Sequence, residues 1–354
     1  MTKRSGKAAL LYFVIHFIVE VICFFMMYRI VGDSVVVAIA ATIYNAVAFV
    51  PQILFGSLRD LTPKFKPGII GVPLLLAGFI LYFVTNATGF IFWLSLIILC
   101  TGNALLHVSG AELTLRTAGG KLSPVAIFVS GGSFGLITGQ LLAKTNISFL
   151  WIVLLGIIMF PLVILGETLY KGNPKENDNC EGFNYTFSKR ATGAIIAAAF
   201  VIVTVRSYLG YGIPTSWTKT VIQTVILYVF LGIGKALGGI LSDLIGIRKT
   251  TFISIIGALP FLVFGDKIMI ISLIGVMFFS MTMSITLGML LSVMKIAPGA
   301  AFGVTTIGLF AGTVIASVVK TDSLLINCMI IVIASAICFL LAHYVLKPEL
   351  KEEK

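Results

Sequence analysis

Charge is scarce in this chain. Only 11% of its 354 residues are charged and 58% are hydrophobic, at a mean hydropathy of +1.09. A soluble domain carries about 25% charged residues, so a soluble globule is excluded. Histidine is scarcer still: His16, His107 and His343 are scattered over the length. Of the five cysteines, Cys23, Cys100, Cys328 and Cys338 fall in apolar runs and only Cys180 in a polar one. This spacing gives neither a disulfide framework nor a zinc cluster. The glycine-rich run Gly131–Gly135 lacks the lysine of a phosphate-binding loop, which removes ATP-driven chemistry. No nucleophile–base pair is apparent, the polar tails are too short for a sensor's output domain, and no cofactor is expected.

Long apolar runs are what the chain has instead. They sit near 7–31, 34–57, 68–85, 88–113, 123–143 and 147–169, then near 191–212, 217–242, 250–265, 267–293, 298–318 and 322–346. Each is long enough to cross about 30 Å of hydrocarbon as a tilted helix. The first is too long for a signal-peptide core and no small-residue cleavage site follows it, so it is expected to remain as span 1. The expectation is an all-α polytopic membrane protein of twelve transmembrane helices. One sizeable polar segment, Lys171–Arg190, divides the spans six and six. It is rich in Pro, Asn, Glu and Lys, and reads as a linker between bundles at 1–170 and 191–354.

Basic residues fix the expected orientation. With an inside N-terminus, 18 Lys and Arg fall on one face and five on the other, and Arg206 and Lys235 lie within spans. The positive-inside rule then puts both termini and the linker in the cytoplasm of a cell (plasma or inner) membrane. The +11 net charge is thereby explained as a membrane-facing asymmetry, without nucleic acid as a partner.

A charged motif occurs twice. Gly56-Ser-Leu58-Arg-Asp60 closes span 2 and Gly239-Ile-Leu241-Ser-Asp243 closes span 8, with Asp60 and Asp243 183 residues apart. Gly246, Arg248 and Lys249 extend the second copy; Lys64 and Lys66 keep positive charge near the first. Internal repetition at half the chain length is a signature of repeat-built transporters. Over its whole length the chain resembles the major facilitator superfamily, with its loop motif G-x-L-x-D-R-x-G-R-[KR] after spans 2 and 8. The resemblance implies two pseudo-symmetric six-helix bundles, a secondary active transporter working by alternating access, and a monomer in the lipid bilayer. Leu244 and Ile247 replace two arginines of the second copy, and Leu61 and Pro63 depart in the first.

An aspartate at its own helix C-terminus sits at the wrong end of the macrodipole. A neighbouring helix N-terminus satisfies it better, and Pro124 and Pro298 open spans 5 and 11. The resemblance implies that Asp60 latches to span 11 and Asp243 to span 5 when the cytoplasmic side is closed. Gly56, Gly239, Arg116 and Arg248 would belong to this gate; the plain alternative is solvated loop residues. His107, near Glu112 at the inner end of span 4, is assigned to the same gate.

More narrowly, His16-Phe-Ile-Val-Glu20 looks like the H-x-x-x-D of the superfamily's fosmidomycin-resistance branch. His107, Arg116, Gly119-Gly120-Lys121 and Arg206-Ser207-Tyr208 are similar to it as well. Glu20 replaces Asp, Val108 replaces a Pro, and Gly139-Gln140 stands where drug/proton antiporters carry Gly-Pro.

Ionisable groups within spans are expensive and mark function by default. His16 and Glu20, four apart on one helix face, lie roughly 13 and 19 Å into span 1, so Glu20 falls near the midplane. This makes Glu20, with His16 as relay, the candidate proton-coupling site; a static pair holding spans together is the alternative. Arg206, roughly 22 Å into span 7, could face Glu20 across a cavity and bind an anionic substrate group, or form a structural salt bridge. Lys235 in span 8 occupies the position matching Gln52 and could line the cavity or snorkel. Asn45, Gln52, Asn103 and Tyr208 complete the candidate substrate-binding set, each equally readable as helix–helix glue or an anchor. The expected function is proton-coupled transport of a small molecule, amphipathic and drug-like or an anionic metabolite. Efflux by an antiporter competes with uptake of a carboxylate by a symporter or facilitator. A membrane sensor or enzyme is the different-class alternative.

Overall fold

The computed structural model describes residues 2–30, 33–86, 88–169, 180, 182–213, 215–319 and 323–347. Twelve of its helices are long and apolar enough to cross a membrane. They are Lys3–Met27, Ser34–Leu61, Pro67–Thr85, Gly89–Arg116, Ser123–Ala143 and Phe149–Thr168, then Thr192–Gly210, Val221–Ile245, Ile247–Phe264, Met269–Leu291, Pro298–Val318 and Leu324–Val345. These are spans 1 to 12 below. Apart from a single bridge between Thr186 and Leu346, no strand pairing occurs among the described residues.

Local sequence sets the helix ends. Asp33 accepts from the N–H groups of Val35 and Val36, Thr220 and Gln223 form a capping box, and Pro67, Pro124 and Pro298 occupy first turns. Pro51 interrupts span 2 between Phe49 and Gln52. Gly246, at φ 95° and ψ 150°, separates spans 8 and 9 in a conformation essentially confined to glycine.

Glycines set the helix packing. A Cβ added at Gly131, Gly135 or Gly139 of span 5 would strike the carbonyls of Phe13, Phe17 or Val21 of span 1, so these two backbones lie in contact. Gly234 and Gly238 of span 8 press likewise on Met277 and Met281 of span 10. Between the bundles, span 2 meets span 11 where Gly303 abuts Ile53, and span 5 meets span 8 where Gly232 abuts Phe134. Leu325, Met329, Ile333 and Leu340 of span 12 stay exposed, a surface suited to lipid.

Several boundaries differ from the sequence expectation. Span 1 starts at Lys3, span 4 runs to Arg116, and both motif copies lie in helical extensions of spans 2 and 8. Hydropathy sees only the part a bilayer must cover, so a polar helix projecting beyond it goes unseen. Span 9 holds a π-helical turn, Ile253–Gly257, just before Pro260. Residues 171–179 and 181 of the expected linker lie outside the described residues. Cys180 and residues 182–190 pack against the spans. Phe183 is fully buried, Cys180 donates its N–H to the Lys295 carbonyl (2.9 Å), and the Tyr185 hydroxyl donates to the Gly120 carbonyl (2.6 Å). Burial, and then the charge of Asp243, push the Tyr185 hydroxyl up, so it stays a neutral donor.

Candidate functional site

At the face carrying the N-terminus, two acids bridge the bundles. The Asp60 carboxylate accepts the N–H groups of Gly299 (3.1 Å) and Ala300 (2.8 Å) at the start of span 11. Asp243 accepts those of Leu122 (2.8 Å) and Ser123 (2.9 Å) at the start of span 5. Gly56 and Gly239 make these approaches possible, because an added Cβ would collide with Gly299 and with Ala126 and Leu122. The two contacts are related as the two motif copies are, and with both made this face is closed.

Their surroundings differ. Arg116 reaches Asp60 (3.3 Å) and also pairs with Glu112. Arg59 lies between Glu112 (3.1 Å) and Glu167 (3.5 Å), and Glu167 accepts from Ser109 (2.8 Å) and Gly68 (3.2 Å). All three of Arg59, Glu112 and Glu167 are buried. Sequence reasoning missed Glu167; its signal was a lone acid inside an apolar run of 20 residues. In the second bundle Arg248 is turned onto the ring of His343 of span 12 (2.8 Å).

The centre of the first bundle holds the candidate coupling residues. His16 Nε2 lies 3.8 Å and His107 Nε2 3.3 Å from the same oxygen, Glu20 Oε1. The other carboxylate oxygen accepts from Tyr44 (3.4 Å), and Asn103 donates to the Tyr44 oxygen (2.8 Å). His16, Glu20 and His107 are each 7% exposed. His107 therefore lies against Glu20 of span 1, away from Glu112 and the Asp60 contact at the inner end of span 4. It shares with Asn103 the side of span 4 that meets span 1, whereas Glu112, five residues on, is rotated by about 140° at 3.6 residues per turn.

Hydrogen bonding fixes both imidazoles. His16 Nδ1 lies 2.9 Å from the Phe128 carbonyl and His107 Nδ1 3.0 Å from the Asn103 carbonyl. A carbonyl only accepts, so each Nδ1 carries hydrogen and each neutral Nε2 presents a lone pair. Two lone pairs and a carboxylate oxygen thus converge within 4.8 Å of one another, a set of acceptors that a bound cation, either a proton or a metal ion, would join; histidines scattered in sequence gave no sign of such a cluster. The Gly132 backbone leaves room for no side chain beside the His16 ring, which keeps that ring in place.

Across the bundle interface, Lys235 of span 8 donates to the Ser133 hydroxyl of span 5 (2.8 Å). Its charge reaches Glu20 and is opposed by Arg206. A cavity of about 10 Å³, room for one water, adjoins Lys235 on the closed side, lined by Val129, Ser284, Phe302 and Thr305 among others. Arg206 is buried in span 7, and Tyr208 packs against the apolar cluster around Leu209 and Leu262. Asn45 and Gln52 donate to the carbonyls of Ala41 (2.9 Å) and Ala48 (2.6 Å) of their own helix.

No family model and no curated protein matches this sequence. Solved structures do. The E. coli fucose:proton symporter FucP aligns at TM-score 0.67 and 14% identity, over 96% of this chain and 98% of that one. The human organic anion transporter TETRAN aligns at 0.66 and 10%, over 97% and 100%. A bacterial homologue of the iron transporter ferroportin, in an outward-facing state, aligns at 0.58 and 12%, over 97% and 98%. At such identities the likeness concerns architecture: the chain has the major facilitator fold.

Proposed function

We propose that the protein is a secondary transporter that moves a small molecule by alternating access, driven by a proton carried on His16, Glu20 and His107. The observation that carries this reading is the convergence of two imidazole lone pairs and one carboxylate oxygen, acceptors that a single bound proton would join. Spans 1–6 and 7–12 act as two bodies within one chain, and the Asp60 and Asp243 contacts hold one face shut while the other is open. The basic face is cytoplasmic, in a cell membrane, by the positive-inside rule. Impermeant thiol reagent added to intact cells should therefore label Lys267→Cys and spare Lys64→Cys. Native Cys180 is unsuited to that test, being only 4% exposed. The meeting of His16, Glu20 and His107 supports the reading that these residues form one unit in the fosmidomycin-resistance-like branch.

Glu20→Gln keeps the side chain's size and removes its ionisation. With any transported compound, it should abolish accumulation driven by an imposed pH gradient and leave exchange without a gradient intact. Infrared difference spectra across pH should lose a carboxylic-acid band in Glu20→Gln and keep it in Asp33→Asn. Gradient-driven accumulation surviving in Glu20→Gln would remove Glu20 from coupling.

A further inference from the structure

Lys235 poses a problem of charge. Its ammonium group donates to Ser133, a neutral hydroxyl (2.8 Å). Among the described residues no carboxylate lies within ion-pairing distance of it. Arg206 adds a second positive charge on the same bundle, and the acid whose charge reaches Lys235 is Glu20, on the opposite bundle. The groups facing Glu20 are His16 and Cys23 on its own span, Tyr44 on span 2, His107 and Cys100 on span 4, and Lys235 on span 8. None of the others is an acid at neutral pH, so Glu20 is the acid that offsets Lys235.

Resting on the proposed proton site, we infer that the substrate is a small organic anion bound at Lys235 and Ser133, and that it moves in the same direction as the proton. Protonated Glu20 no longer offsets Lys235, and the interface then attracts an anion. Ionised Glu20 is the internal counter-charge, and an arriving anion is opposed. Proton and anion therefore each strengthen binding of the other, and by linkage the effect is reciprocal. An antiporter would need the opposite sign, with proton and substrate excluding one another. Lys235 and Ser133 lie on spans 8 and 5, one from each bundle, so an anion between them touches both moving bodies. Val129, Met283 and Phe302 line the adjoining space, which fits a carboxylate with a compact apolar body better than a polyanion.

The test uses the full-length protein in liposomes holding a pH-sensitive dye, with protein-free liposomes as the baseline. Lactate, mandelate and gluconate are the anionic probes; glucose and choline are the neutral and cationic ones. An inward gradient of at least one carboxylate should acidify the lumen above baseline, while glucose and choline do nothing. Lys235→Met should weaken the half-saturating concentration by about tenfold or more, in the usual range for coupled charges, while Lys235→Arg stays within a few-fold. Thermal unfolding of each variant without ligand separates loss of binding from loss of folding. Carboxylate entry that makes the lumen alkaline would overturn the inference and leave the proton site standing. Carboxylate flux with no proton movement would overturn both readings. Inertness of all three carboxylates, or Lys235→Met indistinguishable from wild type, would overturn the anion site alone.

Discussion

Asp60→Asn is the sharpest probe of the closed face, and it needs no knowledge of the substrate. Wild-type Asp60 accepts two backbone N–H groups of span 11 and one guanidinium contact from Arg116, and its side chain is 5% exposed. Hydrogen bonds to a charged group contribute about 1.5–3 kcal/mol each. Asparagine retains one acceptor oxygen but loses the charge, so the closed face should lose about 2–3 kcal/mol. At 1.4 kcal/mol per decade this raises the open population about 30- to 150-fold. Asp243→Asn, which shares no partner with Asp60, should act additively within about 0.5 kcal/mol.

Thr305→Cys, in a background with the five native cysteines replaced, supplies the assay. Thr305 is 3% exposed and lines the narrow cavity beside Lys235, so a reagent added at the basic face reaches it only when that face opens. When opening and closing are fast, alkylation scales with the open population. Rates within twofold of wild type in Asp60→Asn, Asp243→Asn and the double variant would refute the latch.

Gly56→Ala should open the same face without touching any charge, because its methyl collides with the Gly299 backbone, whereas Gly193→Ala meets nothing within 4 Å and should leave Thr305→Cys alkylation unchanged. Tyr185→Phe removes the bond to Gly120 that holds the segment over Cys180; reaction of Cys180 with a disulfide reagent should speed up several-fold with little change in melting temperature. Arg59→Met leaves Glu112 and Glu167 facing each other without their shared cation, a change costing about 3–5 kcal/mol for a buried pair. Its melting temperature in detergent should drop clearly, and Arg59→Met with Glu167→Gln should recover part of the loss.

What the sequence revealed follows from what lipid and repetition demand. Twelve spans were legible because a bilayer imposes both length and apolarity on each helix. The carboxylate contacts of Asp60 and Asp243 were legible because the same five-residue pattern occurs twice and proline marks the two receiving helix ends. Side-chain destinations inside the bundle were less legible. Helical spacing puts His107 on a face but does not say which neighbour that face meets; span 1 claimed it. Glu167 looked incidental in an apolar run because its partner Arg59 is 108 positions away in sequence. Asn45 and Gln52, read as possible ligands, bond back to the carbonyl four residues earlier, a habit of short polar side chains in helices that amides share here. The packing of residues 182–190 rests on contacts with Gly120, Ser292 and Val345, which composition cannot anticipate.

The Glu20 cluster and the Asp60 and Asp243 contacts share helices, which is where the proposed mechanism would tie chemistry to motion. Span 5 offers its Phe128 carbonyl to His16 and, one and a half turns earlier, its Leu122 and Ser123 N–H groups to Asp243. Span 4 carries His107 against Glu20 and, nine residues on, Arg116 against Asp60. On the proposed coupling role, loss of the proton would leave acceptors facing one another around Glu20 and push span 1 from the faces of spans 4 and 5 that it touches. Both spans end at one of these carboxylate contacts, so such a repulsion would act on both together. Helices transmit such displacements with little give because the glycine contacts between spans 1 and 5 leave no slack. On the proposed coupling role, a proton at Glu20 would bias the basic face toward closure without locking it. An anion at Lys235, as inferred above, would act on the same equilibrium from the other bundle.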